Sequence, residues 1–195
     1  VQVKKMSPYH DKTFLMFLVW QVLFAMCFFQ LFTTVPIYFK KSLHLSEFWI
    51  GLIFAGNGVV IALVEMVLVY KLEGRRPYLF YMVAGTLMMG VSYLFLNATF
   101  LGGLIVGLSF MLLITIAEMI AMPFMNSFYI SRTTQFNRGA YAGLYTMAWS
   151  VAQVIGSSAG SLAADQWGFK IFWITVAAFC IIAAWGYYRL SQSNA

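Results

Sequence analysis

The sequence predicts an all-α integral membrane protein with six transmembrane helices. Three observations lead there. The 195 residues are 62% apolar, against about 45–50% in ordinary soluble domains. Only 9% are charged, where a soluble domain carries about 25%. The charges also sit between long uncharged runs rather than inside them. A soluble domain of this size leaves about 30% of its unfolded surface exposed, more than this composition can make polar. Disorder needs the opposite balance of charge and hydrophobicity. The apolar runs are continuous rather than alternating, and barrel strands need only about 10 residues, so the spans are helices.

The elements follow in order. Residues 13–39 are 27 positions without a charge and form the first span. Residues 48–71 form the second, interrupted by Glu65. From Pro77 to Ala117 there are 41 uncharged residues, too many for one crossing at about 1.5 Å per residue. Asn97-Ala98-Thr99, followed by Gly102-Gly103, supplies the turn that divides them. This gives a third span at 77–96 and a fourth at 101–128, the latter holding Glu118 and Pro123. The fifth is 139–164 and the sixth 169–189. Together they make one transmembrane domain over 13–190, preceded by a cytoplasmic linker at 1–12 and followed by a cytoplasmic tail at 191–195.

Direction comes from the basic residues. Lys4, Lys5, Lys12, Lys71, Arg75, Arg76, Arg132, Arg138 and Arg189 fall on one side; Lys40, Lys41 and Lys170 fall on the other. Nine against three places both termini in the cytoplasm by the positive-inside rule. The net charge of +6 is spread over these loops and forms no single patch, so nucleic acid is not an expected partner. Cys27 and Cys180 lie within apolar runs and read as small buried hydrophobes. The opening Val1-Gln2-Val3-Lys4-Lys5 has no initiator Met and no signal-peptide pattern, so the chain is expected to begin partway through a longer gene product.

Polar residues are unevenly distributed among the spans. The third and sixth carry little beyond Tyr, Thr and Ser and are expected to face lipid. The first holds Gln21, Gln30, Thr33 and Thr34; the second holds Asn57 and Glu65, two turns apart on one face. The fourth holds Ser109, Thr115 and Glu118, and the fifth holds Tyr145, Thr146, Trp149, Ser150, Gln153 and Ser157. Polar groups at that depth face protein or water. Four spans are therefore expected to surround an interior, with two outside.

Glu65 and Glu118 are the sharpest individual signals. An intramembrane carboxylate costs about 2.5–3.5 kcal/mol on insertion scales, and no Lys or Arg lies at matching depth. A low-dielectric setting favours the neutral acid, which suits a proton carrier. The competing role is a neutral structural acid bonded to a neighbouring helix. Glu65 lies six residues before Lys71, about 9 Å of helix rise, and can reach the surface.

Small-residue pairs recur at Gly103 and Gly107, Gly139 and Gly143, and Gly156 and Gly160, as in close helix packing within lipid. Gly156-Ser157-Ser158-Ala159-Gly160 matches a hydrolase pattern, but it lies within an apolar helix rather than on a strand-to-helix turn. His10 and His44 are the only histidines and sit in or beside loops. No metal-ligand cluster and no phosphate-binding glycine run occur, so neither an enzyme nor a cofactor is expected.

The run Glu118-Met119-Ile120-Ala121-Met122-Pro123, then Asn137-Arg138-Gly139-Ala140-Tyr141-Ala142-Gly143, then the small-residue helix through Gly156 and Gly160, resembles the major facilitator superfamily of secondary transporters. It is similar to the tenth and eleventh helices of bacterial proton-linked drug exporters. Gln30 to Tyr38 is similar to their seventh helix. Of the family's loop motif Gly-x-x-x-Asp-Arg-x-Gly-Arg-Arg, Gly74, Arg75 and Arg76 match, whereas Val67, Lys71 and Leu72 replace the Gly, Asp and Arg.

The resemblance implies one half, helices seven to twelve, of a twelve-helix major-facilitator fold in a bacterial inner membrane. Its partner would be the N-terminal six-helix half, and the two would rock to alternate access around a small-molecule substrate. Gln30, Thr33, Thr34, Asn57, Thr115, Tyr145, Trp149 and Gln153 become the substrate-binding candidates. Glu118 and Glu65 become the proton-coupling pair, and Gly74, Arg75, Arg76, Arg138 and Gly139 the gating or loop residues. The implied activity is proton-coupled efflux of amphipathic compounds. Uptake of a sugar, peptide or organic acid within the same fold, and a non-transporting membrane scaffold or assembly subunit, stand as alternatives.

Overall fold

Each long apolar run becomes one helix, because in lipid every backbone N–H and C=O must find its partner within the segment. The computed structural model describes residues 7–193; half of the expected linker, 1–6, and the last two tail positions lie outside the described residues. Six α-helices follow in order: α1 (Lys12–Lys41), α2 (Glu47–Leu72), α3 (Tyr78–Phe95), α4 (Gly103–Ser131), α5 (Arg138–Trp167) and α6 (Phe169–Ser193). There is no strand among the described residues.

The ends of the helices have local causes. Asp11 caps α1 by accepting the Phe14 amide at 3.0 Å, satisfying one of the orphan donors of the first turn. Pro36 lies inside α1, which continues to Lys41 and places Lys40 and Lys41 in its last turn, where cations oppose the helix dipole. The α3–α4 connection contains a short 3-10 turn at Thr99–Leu101, and α4 begins after Gly102 at φ +89°. A single residue, Gly168 at φ +76°, separates α5 from α6, a left-handed conformation that glycine adopts freely. Helix α6 runs to Ser193, so positions 191–193, expected as tail, are helical.

Five of the six helices are long and apolar enough to cross a membrane by length and composition: α1, α2, α3, α4 and α6. Helix α5 has the length, 30 residues, but falls outside that group. Its Thr146, Ser150, Gln153, Ser157, Ser158 and Ser161 dilute the apolar residues.

Packing places α3 between α4 and α6. Gly85 of α3 faces α4 so closely that a Cβ there would lie 2.8 Å from the Ala117 carbonyl oxygen. Gly90 faces α6, where a Cβ would lie 3.1 Å from Cys180 Cβ. Small residues let backbones approach, and dispersion between the close surfaces then favours the contact. Trp173 of α6 stacks on Tyr93 at 5.6 Å and meets Tyr38 edge-on at 5.4 Å. The two tyrosine hydroxyls donate to backbone carbonyls, Tyr93 to Cys27 at 2.7 Å and Tyr38 to Leu96 at 2.6 Å. Cys27 and Cys180 are both buried free thiols.

The third and sixth helices, expected to face lipid, each expose one apolar face and bury the other. Leu87, Val91 and Leu94 of α3 and Ile171, Ile174 and Ile181 of α6 are exposed, while the opposite faces are buried. The least covered helix is α2, in which Ile53 is the one buried residue. Gly103, Gly107, Gly156 and Gly160 each sit against a neighbouring helix or the α1–α2 connection, but Gly139 and Gly143 have nothing within 4 Å of a Cβ. That pair opens α5 at the uncovered surface, so it makes no packing contact within this chain.

Candidate functional site

The first group of polar residues joins α1 to α5. Gln30 Nε2 donates to the Gly156 carbonyl at 2.8 Å and to the Met26 carbonyl at 3.0 Å, and its Oε1 accepts the Thr34 hydroxyl at 2.8 Å. Room for this amide exists because Gly160 has no side chain; a Cβ there would collide with the Gln30 amide. Gln30 and Thr34 are buried. Their hydrogen bonds remain within the protein and tie two helices together. Thr33 is half-buried and bonds back to the Phe29 carbonyl at 3.1 Å.

Next along α5 is an aromatic cluster. Trp149 meets Phe28 at 5.7 Å and Phe29 at 5.8 Å, both edge-on. Tyr145 stacks on Tyr129 of α4 at 4.4 Å, and its backbone carbonyl accepts Gln21 Nε2 at 3.4 Å. Phe32, exposed on α1, reaches Phe54 of α2 at 6.5 Å. Gln153 is exposed on α5 and Trp149 half-buried.

A second polar group lies across α2 and α4. Asn57 Nδ2 donates to Thr115 Oγ1 at 2.8 Å, and the Thr115 hydroxyl donates to the Met111 carbonyl at 2.6 Å. Glu118, three residues on from Thr115 and on the same face, is only 5% exposed. Its Oε1 has no hydrogen-bond partner. Glu65, half-buried on α2, is close enough for its charge to act on Glu118. The sequence-predicted residues thus form two clusters, Gln30 to Trp149 and Asn57 to Glu118, with the Phe32–Phe54 contact between them.

The third group was not anticipated. Asp11 is buried, and Arg132 at the end of α4 donates to it through Nε and Nη2, both at 2.7 Å. Tyr141 of α5 adds its hydroxyl at 3.0 Å. Burial alone pushes the Asp11 carboxyl up, but the Arg132 hydrogen bond and charge, with the Phe14 and Tyr141 bonds, hold it below the usual carboxylate range. A signal for it did exist: an Asp immediately before an apolar run is a helix N-cap pattern. The loop candidates Gly74, Arg75, Arg76, Arg138 and Gly139 are all exposed. Gly74 turns the chain after α2 at φ +76°, and the Arg76 guanidinium lies 5.7 Å from the Phe80 ring centre.

Two clefts accompany these groups. One of about 530 Å³ opens between α1, α5 and α6, lined by Gln30, Gly156, Gly160, Trp167, Phe172 and Phe179 among others. A smaller one of about 200 Å³ lies between α2 and α4 and includes Asn57 and Thr115 in its wall. Among the described residues no three His, Cys, Asp or Glu group closely enough to hold a metal ion.

No curated protein and no solved structure matches the chain. The family model of the Major Facilitator Superfamily matches residues 3–157, which takes in α1 to α4 and the first two thirds of α5. Membership agrees with an all-helical fold whose helices are mostly long and apolar enough to cross a bilayer. Members of that family are membrane transporters rather than enzymes, and this chain belongs to the Major Facilitator Superfamily.

Proposed function

We propose that the chain is the C-terminal six-helix half of a proton-coupled secondary transporter that exports amphipathic small molecules by alternating access. The observation that carries the proton coupling is Glu118: a carboxyl halfway along an apolar helix, 5% exposed, with one oxygen unpartnered. A buried acid without a cation beside it favours its neutral, protonated form over the charged one, the state in which a proton can be carried. Both ion pairs among the described residues, Lys40 with Glu47 and Arg132 with Asp11, lie at helix ends and leave it alone.

The need for a second half is supported by the uncovered helices. Most of α2 is exposed, and α5 exposes Gln153, Ser150 and Thr146 together with Met147, Val151 and Val154. Polar and apolar residues mixed on one face suit another protein surface and a wet cavity better than lipid. The N-terminal half of the same transporter is the proposed partner. The aromatic cluster of Phe28, Phe29, Tyr145 and Trp149 is the proposed wall for an amphipathic substrate, with Gln153 at its edge. The proposed location is a bacterial inner membrane with both termini cytoplasmic.

The test is transport by the full-length protein in liposomes, with ethidium as the probe. A pH gradient should drive ethidium accumulation by the native protein. Glu118→Gln, which imitates the neutral acid in shape, should abolish gradient-driven accumulation and retain exchange at equal pH. Normal accumulation by Glu118→Gln would overturn the role of Glu118.

A further inference from the structure

Helix α2 touches the rest of the chain sparingly, yet one polar side chain on it is held in a defined orientation. Ile53 is its one buried residue, and Asn57 lies one turn further on the same face. There the Asn57 amide nitrogen gives one hydrogen to Thr115 Oγ1 at 2.8 Å. Thr115 can accept it because its own hydrogen is committed to the Met111 carbonyl at 2.6 Å. This chain of bonds runs one way, from Asn57 through Thr115 to the α4 backbone. It fixes which end of the amide faces Thr115. The amide keeps one N–H and its oxygen for other partners.

Glu118 lies one turn along from Thr115 and is 5% exposed, with Oε1 unpartnered. The 2.8 Å bond to Thr115 holds the Asn57 amide against α4 one helical turn from that carboxyl. The titratable groups on packed elements whose charge bears on Glu118 are Glu65 on α2 and Tyr93 on α3. Neither is a cation, and the Tyr93 hydroxyl is already committed to the Cys27 carbonyl. The Asn57 amide is therefore the neutral group suited to both states of the acid. Its oxygen can accept the O–H of the protonated carboxyl, and its free N–H can donate to the carboxylate.

We propose that Asn57 is the positioning residue of the Glu118 carboxyl, with Thr115 locking the amide in the orientation that serves both protonation states. This rests on the reading of Glu118 as the proton carrier. It assigns Asn57 and Thr115 to the proton site rather than to substrate contact. No bond within Asn57 forms or breaks; the proton leaves from and returns to Glu118.

The test uses purified full-length protein and infrared difference spectra between acid and alkaline pH, beside ethidium transport in liposomes. The carboxyl C=O band of Glu118 should be identified by its loss in Glu118→Gln. That band should move in Asn57→Leu and in the near-isosteric Thr115→Val, and stay in place in Thr115→Ser, which keeps the hydroxyl. Gradient-driven accumulation should fall about tenfold in Asn57→Leu, as loss of a hydrogen bond to a charged group implies, with exchange at equal pH retained. A purely structural role would lower both activities together and leave the band unmoved, and that result overturns the proposal. If Glu118→Gln is uncoupled but the band is unmoved in Asn57→Leu, this inference alone fails. If Glu118→Gln couples normally, the proton reading fails and this inference falls with it.

Discussion

Asp11 and Arg132 stand 121 positions apart and meet through two hydrogen bonds of 2.7 Å, Nε to Oδ2 and Nη2 to Oδ1. The pair fastens the start of α1 to the end of α4, and the Tyr141 hydroxyl brings in the start of α5 at 3.0 Å. Asp11 also caps α1. One buried carboxylate thus joins three helices at one end of the bundle. The fork of the guanidinium matches the carboxylate geometrically, which a lysine cannot do.

Removing Arg132 leaves a buried carboxylate unpaired, and removing Asp11 leaves a half-buried guanidinium unpaired. Asp11→Asn is expected to lower stability by about 3 kcal/mol, and Arg132→Lys to recover only part of the loss seen in Arg132→Ala. Thermal unfolding of purified protein in detergent reads both.

The same pair has a pH signature. Asp11 is held below the usual carboxylate range in the folded protein, so its stabilisation is complete above the unfolded value. It is lost as pH falls through the folded value. Unfolding temperature should therefore be flat near neutrality and drop below about pH 4. Asp11→Asn should flatten that acid limb.

Gly160 makes room for the Gln30 amide between α1 and α5. Gly160→Val should force the two helices apart and cost about 1–3 kcal/mol by overpacking. Gly143→Ala, at a position with nothing within 4 Å of a Cβ, should be near neutral in the same unfolding assay. Comparable losses in both would show that the α1–α5 contact is not where the energy lies.

Topology is checked by labelling. Ser46 and Gln135 are exposed in the α1–α2 and α4–α5 connections, while native Cys27 and Cys180 are buried and should give little background. A cysteine at position 46 should react with an impermeant maleimide in intact cells, and one at 135 only after permeabilisation. The reverse pattern would invert the orientation.

The uncovered faces of α2 and α5 predict that these 195 residues alone give no gradient-driven ethidium transport in liposomes. Co-reconstitution with the proposed N-terminal half should restore it. Robust transport by the segment alone would mean that two copies complete the cavity.

What the sequence by itself determined is the series of helices and their solvent. Long uncharged runs can persist only as helices in lipid, and that reasoning needs no partner, so composition and run length suffice. It also marked α5 as polar and Glu118 as exceptional, because an acid in an apolar run is conspicuous wherever it points. The tertiary structure decided which groups meet. Gln30 bonding Gly156, Asn57 bonding Thr115 and Asp11 bonding Arg132 each join residues 58 to 126 positions apart. No periodicity encodes such pairs. They follow from the rotation of each helix about its axis, which is set by where the small residues Gly85, Gly90, Gly156 and Gly160 let backbones approach. That is why Gln30 could be recognised as an intramembrane polar group from the sequence, while its place between α1 and α5 waited for the packed helices.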